Sequence, residues 1–201
     1  MRPCSNRRWR AGPSRRADVV AAYDFTGLRT LVDVGGGRGV LLAAILAASP
    51  DSTGVLADRP AAIPQARAFL DSAGLTARTE CVDIDFFATV PAGADAYVLS
   101  RILHDWHDVD AERILTRCRE AMRPTSRLLI VDAILPERAQ DQPAAIRMDV
   151  HMLMLFGARE RTRAEFEAIL EHTGFRVERV FRHSITGRPR CDRSNPPMNA
   201  R

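Results

Sequence analysis

The residues best suited to hold a ligand lie at 30–39, where an apolar run ends in a turn with glycine at positions 35, 36, 37 and 39. Glycine adopts positive φ readily and carries no side chain, so the peptide N–H groups of such a turn can lie against a ligand. The apolar run at 40–48 predicts a helix whose N-terminus stands directly behind the turn. The stretch therefore predicts a strand, a cofactor-binding turn and a helix. A tight strand-to-helix connection without a ligand is the alternative.

The glycine spacing separates classes of cofactor. A dinucleotide fingerprint, G-x-G-x-x-G, would need its third glycine at position 40, which is Val40. The spacing present is G-x-G-x-G, with Asp33 two residues upstream. A P-loop is excluded because all 29 basic residues are arginine and the motif requires lysine. A pyrophosphate site is thus disfavoured, and a nicotinamide dehydrogenase stays only as an alternative.

An acid at the end of the second predicted strand points to a ribose. Asp58 closes the run 53–58 and lies 25 residues after Asp33. A carboxylate in this place can accept hydrogen bonds from both ribose hydroxyls. The alternative role is an N-cap for the helix that starts near Pro60.

A cluster of nitrogen and oxygen donors could bind a metal ion. It consists of His104, Asp105, His107, Asp108 and Asp110. Consecutive donors at a strand end or helix start point in different directions, and acids near a helix N-terminus are accounted for by its dipole. We therefore expect no metal site here.

Composition and charge predict one folded domain with two basic tails. The 201 residues are 46% hydrophobic, enough for one core. Residues 1–18 hold six Arg and one Asp, and residues 188–201 hold four Arg and one Asp, which leaves 19 Arg against 23 acids between them. Because the basic charge lies in these Pro- and Ser-containing ends, we predict disordered tails at 1–18 and 188–201, a folded domain at 19–187 and no nucleic-acid partner.

Cysteine spacing and hydropathy predict a reduced, cytoplasmic protein. Cys4, Cys81, Cys118 and Cys191 are far apart and form no C-x-x-C pair. No run approaches 18 apolar residues, so no membrane partner is expected.

Alternating strands and helices predict an α/β fold with a doubly wound, parallel, Rossmann-like sheet. The predicted strands are 30–34, 53–58, 78–82, 96–99, 127–136 and 175–181. The predicted helices are 40–48, 61–73, 110–122, 148–156 and 163–172.

Five segments in order carry a family resemblance: 32–39, Asp-Phe-Phe at 85–87, Ile-Leu-His-Asp-Trp at 102–106, 127–132 and 157–162. Together they make the chain, from about Ala21 to Gly187, similar to the catalytic domain of S-adenosylmethionine (SAM)-dependent O-methyltransferases. The similarity is to the caffeic-acid type of O-methyltransferase, which acts on small molecules in plants and actinobacteria. The resemblance implies the class I methyltransferase fold and SAM as cofactor.

The resemblance also implies the cofactor contacts. The residues expected to hold SAM are Asp33, Gly35, Gly37, Asp58, Asp85, Phe86 and Ser100. Asp85 and Phe86 would flank the adenine. Ser100 stands where family members often have a lysine, so we expect one cofactor contact of the family to be lost.

By the same resemblance, His104 aligns with the general base, and Asp132 and Glu160 align with the two acids that frame it. The acid at Asp132 is usually glutamate, and the shorter side chain predicts a looser contact with the imidazole. The implied reaction is methyl transfer from SAM to a hydroxyl of a small aromatic acceptor, phenolic or polyketide-like, in secondary metabolism. A packed or helix-capping His104, and a SAM-binding relative or truncated remnant without activity, are the alternatives.

Two family features have no match in this sequence. Family members carry a helical N-terminal domain that forms a homodimer and closes the acceptor pocket, and no segment here resembles it. Their last strand is replaced after Gly187 by a Pro- and Arg-rich stretch that cannot form one. We expect a catalytic domain that lacks both features, is less stable than its relatives and is prone to self-association.

Overall fold

A five-stranded parallel sheet forms the centre of the protein. The computed structural model describes residues 13–136, 138–141, 147, 150, 153–154 and 160–181. The strands are β1 (Thr30–Val34), β2 (Thr53–Asp58), β3 (Thr79–Asp83), β4 (Ala96–Ser100) and β5 (Arg127–Val131). Their order is β3-β2-β1-β4-β5, and every neighbouring pair is parallel. The predicted doubly wound parallel sheet is confirmed.

Helices and a small second sheet accompany the parallel sheet. The helices are α1 (Pro13–Ala22), α2 (Val40–Ala48), α3 (Ile63–Ser72), α4 (Asp108–Ala121) and α5 (Arg163–His172). The second sheet pairs β6 (Ile134–Leu135) with β7 (Arg161–Thr162) in parallel. α5 begins with a capping box between Thr162 and Glu165, which satisfies N–H groups at the start of the helix.

The sheet is buried on both faces because helices cover each side. Leu31 of β1 packs in a cluster with the apolar side of α2, whereas Val32 and Val34 pack in a second cluster with apolar residues of α4 and α5. A strand covered on both faces is largely apolar in sequence, and β1 is apolar apart from Thr30 and Asp33. Among the described residues, no helix is long and apolar enough to cross a membrane.

The strand predicted at 175–181 is wrong. These residues pair with no strand among those described. Phe175 and Val177 pack against the core cluster of α4 and α5, while Arg176 between them is exposed. Alternating hydropathy reports burial on one side, and here that burial occurs without strand hydrogen bonds.

Other helix and strand boundaries also differ from those predicted. α1 begins at Pro13, inside the segment 1–18 predicted to be disordered, so regular structure starts earlier than expected. The single strand predicted at 127–136 is broken between β5 and β6, at Asp132 and Ala133. Of the helix predicted at 148–156, residues 150, 153 and 154 are helical and the others lie outside the described residues, as do 1–12 and 188–201.

Candidate active site

The residues predicted to bind the cofactor lie along one edge of the sheet. The glycine turn follows β1, Asp58 ends β2, Asp85 and Phe86 follow β3, and Ser100 ends β4. The strands are parallel, so all these positions fall at their carboxyl ends. Ligands of open α/β sheets bind in the crevice outside this edge.

The glycine turn needs residues without a side chain. Gly35 and Gly37 have φ of 71° and 58°, in the left-handed region. At Gly36 a Cβ atom would lie 2.6 Å from Oδ2 of Asp33. The turn therefore rests directly on the Asp33 carboxylate.

Asp58 holds the turn in place from the neighbouring strand. Its Oδ2 accepts a hydrogen bond from the Gly37 N–H at 2.7 Å, and its Oδ1 accepts one from the Arg59 N–H at 2.7 Å. The residue at the N-cap of α3 is Ala62, so the alternative role of Asp58 as a helix cap is wrong. The ribose contact of Asp58 stays a prediction.

Asp33 is the buried acid beneath the turn. It is 1% exposed, and neither carboxylate oxygen has a well-formed hydrogen bond among the described residues. Burial raises the pKa of Asp33 to about 7, the nearby Asp58 charge adds to this rise, and the Leu42 backbone N–H opposes it. The glycine turn covers the Asp33 carboxylate. A contact of Asp33 with the cofactor stays a prediction.

Phe86 lies beside the glycine turn and Asp85 stabilises its own loop. A Cβ atom on Gly35 would lie 3.8 Å from Cε1 of Phe86. The Phe86 ring packs edge-on against Trp106, with 6.0 Å between ring centroids. Oδ1 of Asp85 accepts from the Phe87 N–H at 2.9 Å, as an Asx turn does.

The structure gathers the three predicted catalytic side chains. His104 lies in a short 3₁₀ turn, Leu103–Asp105, between β4 and α4. Its Nδ1 is 3.1 Å from Oε1 of Glu160 and 3.5 Å from Oδ1 of Asp132. The backbone N–H of His104 donates a hydrogen bond to Oδ2 of Asp132 at 3.3 Å. The Glu160 contact is the shorter of the two, and the looser contact expected from aspartate at position 132 stays a prediction.

This arrangement favours one tautomer of the neutral imidazole. Nδ1 faces two buried carboxylates, which favours a proton on Nδ1 in a hydrogen bond to Glu160. In that tautomer Nε2 is the unprotonated nitrogen, and it lies 3.4 Å from the half-exposed Asp105 carboxylate. Burial on its own lowers the pKa of His104, but the hydrogen bond to Glu160 and the charges of Asp132 and Asp105 outweigh it. The net pKa of His104 lies above its ordinary 6.5.

The pKa of Asp132 is shifted as well. Burial raises its pKa to about 6, the His104 charge opposes that rise, and the Glu160 charge adds to it. Two carboxylates on one imidazole nitrogen thus form a coupled group with His104, and an imidazolium formed there would be stabilised by both.

Sequence reasoning missed two arginines of this site. The fully buried Arg161 binds the segment that carries His104. Arg101 has φ of 57°, and its charge lowers the pKa of His104, Asp105 and Asp132. The only sequence signal for Arg161 is its place next to Glu160. No pattern marks an arginine as buried.

The metal alternative takes a different form in the structure. Within the described residues, the only group of His, Cys, Asp or Glu side chains able to share an ion is His104, Asp132 and Glu160, with ligand atoms within 4.8 Å of one another. The cluster at 104–110 considered from sequence is not gathered around one point. The hydrogen bond from His104 to Glu160 accounts for the close approach without an ion.

Comparisons with known proteins agree with this architecture. Residues 15–176 match the O-methyltransferase domain family. The chain is 49% identical over 163 residues to the mitomycin biosynthesis 6-O-methyltransferase of Streptomyces lavendulae, an alignment covering 80% of this chain and 46% of that protein. The structure of the mitomycin 7-O-methyltransferase MmcR matches with a TM-score of 0.78 at 48% identity, covering 83% of this chain and 48% of that one.

A third relative was solved with ligands. NcsB1 from neocarzinostatin biosynthesis, in complex with SAM and 2-hydroxy-5-methyl naphthoic acid, matches with a TM-score of 0.72 at 38% identity, covering 79% of this chain and 46% of that one. The chain thus spans about half the length of the relatives it matches. The predicted family, its fold and its cofactor are confirmed by these matches. The parallel sheet with its glycine turn, together with the match over 15–176, establishes that the chain belongs to the O-methyltransferase domain family.

Proposed function

We propose that this chain is the catalytic domain of a SAM-dependent O-methyltransferase acting on a hydroxyl of a small aromatic acceptor. The observation that supports the proposal is the position of His104, whose Nδ1 lies 3.1 Å from Glu160 and 3.5 Å from Asp132, both buried. A proton held on Nδ1 by these carboxylates would make Nε2 the proton acceptor. A histidine in this state suits removal of a phenolic proton near neutral pH.

The residues at the sheet edge fit the cofactor. The glycine turn offers close approach of the backbone, and the buried Asp33 carboxylate beneath it suits a ligand that brings a positive charge. Asp58 and Phe86 stand at the end of β2 and beside the turn, where a ribose and an adenine would be held. When bound, SAM supplies a methyl group already activated by its sulfonium, so the protein has to align the acceptor and manage one proton.

The proton goes to Nε2 of His104. As the acceptor oxygen loses its proton, the imidazole becomes a cation, with Nδ1–H still bonded to Glu160. The Glu160 and Asp132 carboxylates stabilise that cation and keep the ring oriented. General-base assistance of this kind is worth roughly 10²- to 10⁴-fold in rate.

The acceptor class comes from the relatives. Two relatives are O-methyltransferases named for mitomycin, and NcsB1 was solved with 2-hydroxy-5-methyl naphthoic acid, a hydroxylated aromatic. They support a small, aromatic, secondary-metabolite acceptor for this chain.

The test separates proton transfer from cofactor binding. His104→Gln keeps size and polarity but cannot take the proton. We expect methyl transfer to hydroxynaphthoic acids to fall by about 10²-fold or more, with SAM affinity by calorimetry unchanged. Turnover within a few fold of wild type would remove His104 as the base. SAM binding by the wild-type chain without transfer to any hydroxylated aromatic would favour the non-methylating alternative.

A further inference from the structure

A buried guanidinium holds the segment that carries His104. Arg161 is fully buried, an environment that arginine almost never occupies without partners. Nη1 donates to the Leu103 carbonyl at 2.6 Å, and Nη2 donates to the Trp106 carbonyl at 2.7 Å. Nε and Nη2 both donate to Oδ1 of Asp108, at 3.0 and 2.9 Å. One side chain thus ties together both ends of the turn and the first residue of α4.

The acceptors bracket the proposed base. Leu103 directly precedes His104, and Trp106 follows it by two residues. Arg161 itself lies in β7, which pairs with β6, and the residue before it is Glu160. Two consecutive residues therefore present the carboxylate that binds the imidazole and the guanidinium that binds the backbone on either side of it.

We propose that Arg161 is a positioning residue for the reaction, holding 103–108 so that Nδ1 of His104 stays within hydrogen-bond reach of Glu160. The proposal rests on the proposed function, in which His104 is the base.

Geometry explains why arginine is needed. The guanidinium is planar, and its donors point in fixed directions, so it can bind two carbonyls and a carboxylate at once. Lysine carries the same charge as a single point and cannot span both carbonyls. Loss of the fork would leave carbonyls of the turn unpaired inside the protein, which favours a shift of the turn toward water.

The first test uses Arg161→Lys, which keeps the charge and removes the fork. Arg163→Lys is the matched control, since Arg163 is exposed and pairs with Glu167 on the surface of α5. The readout is the His104 imidazole, followed by ¹H–¹⁵N NMR as pH is varied. The charged groups facing it are Glu160, Asp132, Asp105 and Arg101, and none is altered by the substitution.

We expect the pKa of His104 to fall by about half a unit or more in Arg161→Lys, because the bond that raises it is loosened. SAM affinity should hold, since the glycine turn and Asp58 lie on other strands. Methyl transfer to 2-hydroxy-5-methyl naphthoic acid should fall roughly tenfold in kcat. The control should change neither quantity. An unchanged or raised pKa of His104 in Arg161→Lys would overturn the proposal.

A double-substitution cycle separates positioning from general destabilisation. If Arg161 acts through His104, adding Arg161→Lys to His104→Gln should cause little further loss of turnover. An equal additional loss in that background would mean a merely structural role and would overturn the proposal. Full activity of His104→Gln alone would instead refute the proposed base, while the NMR result would still decide whether Arg161 positions the ring.

Discussion

Asp33 should make this protein less stable as pH rises through neutrality. Its carboxyl is buried without a well-formed hydrogen bond among the described residues, and burial raises its pKa from 3.8 to about 7. The folded state then keeps a proton that the unfolded chain releases above pH 3.8. Between these two values the folded state binds more protons, so the free energy of unfolding falls as pH increases.

The magnitude follows from the shift. A difference of about three pKa units corresponds to about 4 kcal/mol, at 1.36 kcal/mol per unit. Of this, about 2.5 kcal/mol develops between pH 5 and pH 8, a range convenient for measurement. Asp33→Asn removes the titrating group. Its amide is also unpaired and costs about 1–3 kcal/mol, but that cost is the same at every pH.

Urea unfolding without cofactor, followed by circular dichroism at pH 5 and pH 8, measures the effect. We expect the free energy of unfolding of the wild type, relative to that of Asp33→Asn, to fall by about 2.5 kcal/mol from pH 5 to pH 8. His104 and Asp132 titrate in both proteins and cancel in the difference. Asp51→Asn, which removes an exposed carboxylate, is the control and should not reproduce the change. A difference that stays constant within about 0.5 kcal/mol would show that Asp33 ionises normally and that its burial is compensated.

Three further outcomes are expected. Arg78 donates four hydrogen bonds to carbonyls at the end of α2 and just beyond it, at Leu46, Ser49, Pro50 and Ser52. Arg78→Met should therefore lower the free energy of unfolding by about 1–3 kcal/mol in urea titrations, whereas an unchanged midpoint would mean that water replaces these bonds. The rate of methyl transfer should rise with pH through the raised pKa of His104, above 6.5, and Asp132→Asn should move that rise to lower pH because it removes a charge that raises the pKa. A rise at the same pH in the variant would show that Asp132 does not act on the imidazole. Dialysis against EDTA should leave methyl transfer unchanged, and loss of activity that Mg²⁺ or Zn²⁺ restores would make His104, Asp132 and Glu160 a metal site instead.

Local patterns in the sequence were enough to predict a ligand-binding turn and an acid at Asp58, whereas Asp85, Phe86 and Ser100 came from resemblance to a family. The glycine turn, Asp58 and the apolar strands depend on rules that act over a few residues: positive φ at glycine, alternation of strands and helices, and burial of parallel strands on both faces. Parallel strands then place their carboxyl ends at one edge, so the approximate meeting of these residues also follows from sequence. The role of His104 required more, since it came from resemblance to a family.

Tertiary structure alone decided how the catalytic half is assembled. Glu160 lies 56 residues beyond His104 and reaches it because β7 pairs with β6, a contact between two strands of two residues each that leaves almost no sequence signal. Arg161 is a charged residue that sequence rules place at the surface, yet it is buried because three acceptors converge on its guanidinium. The strand predicted at 175–181 was wrong because its alternating hydropathy reflects packing on the core rather than strand pairing. Local propensity determined the strands and helices of this protein, whereas the long-range packing of short segments determined the surroundings of the proposed base.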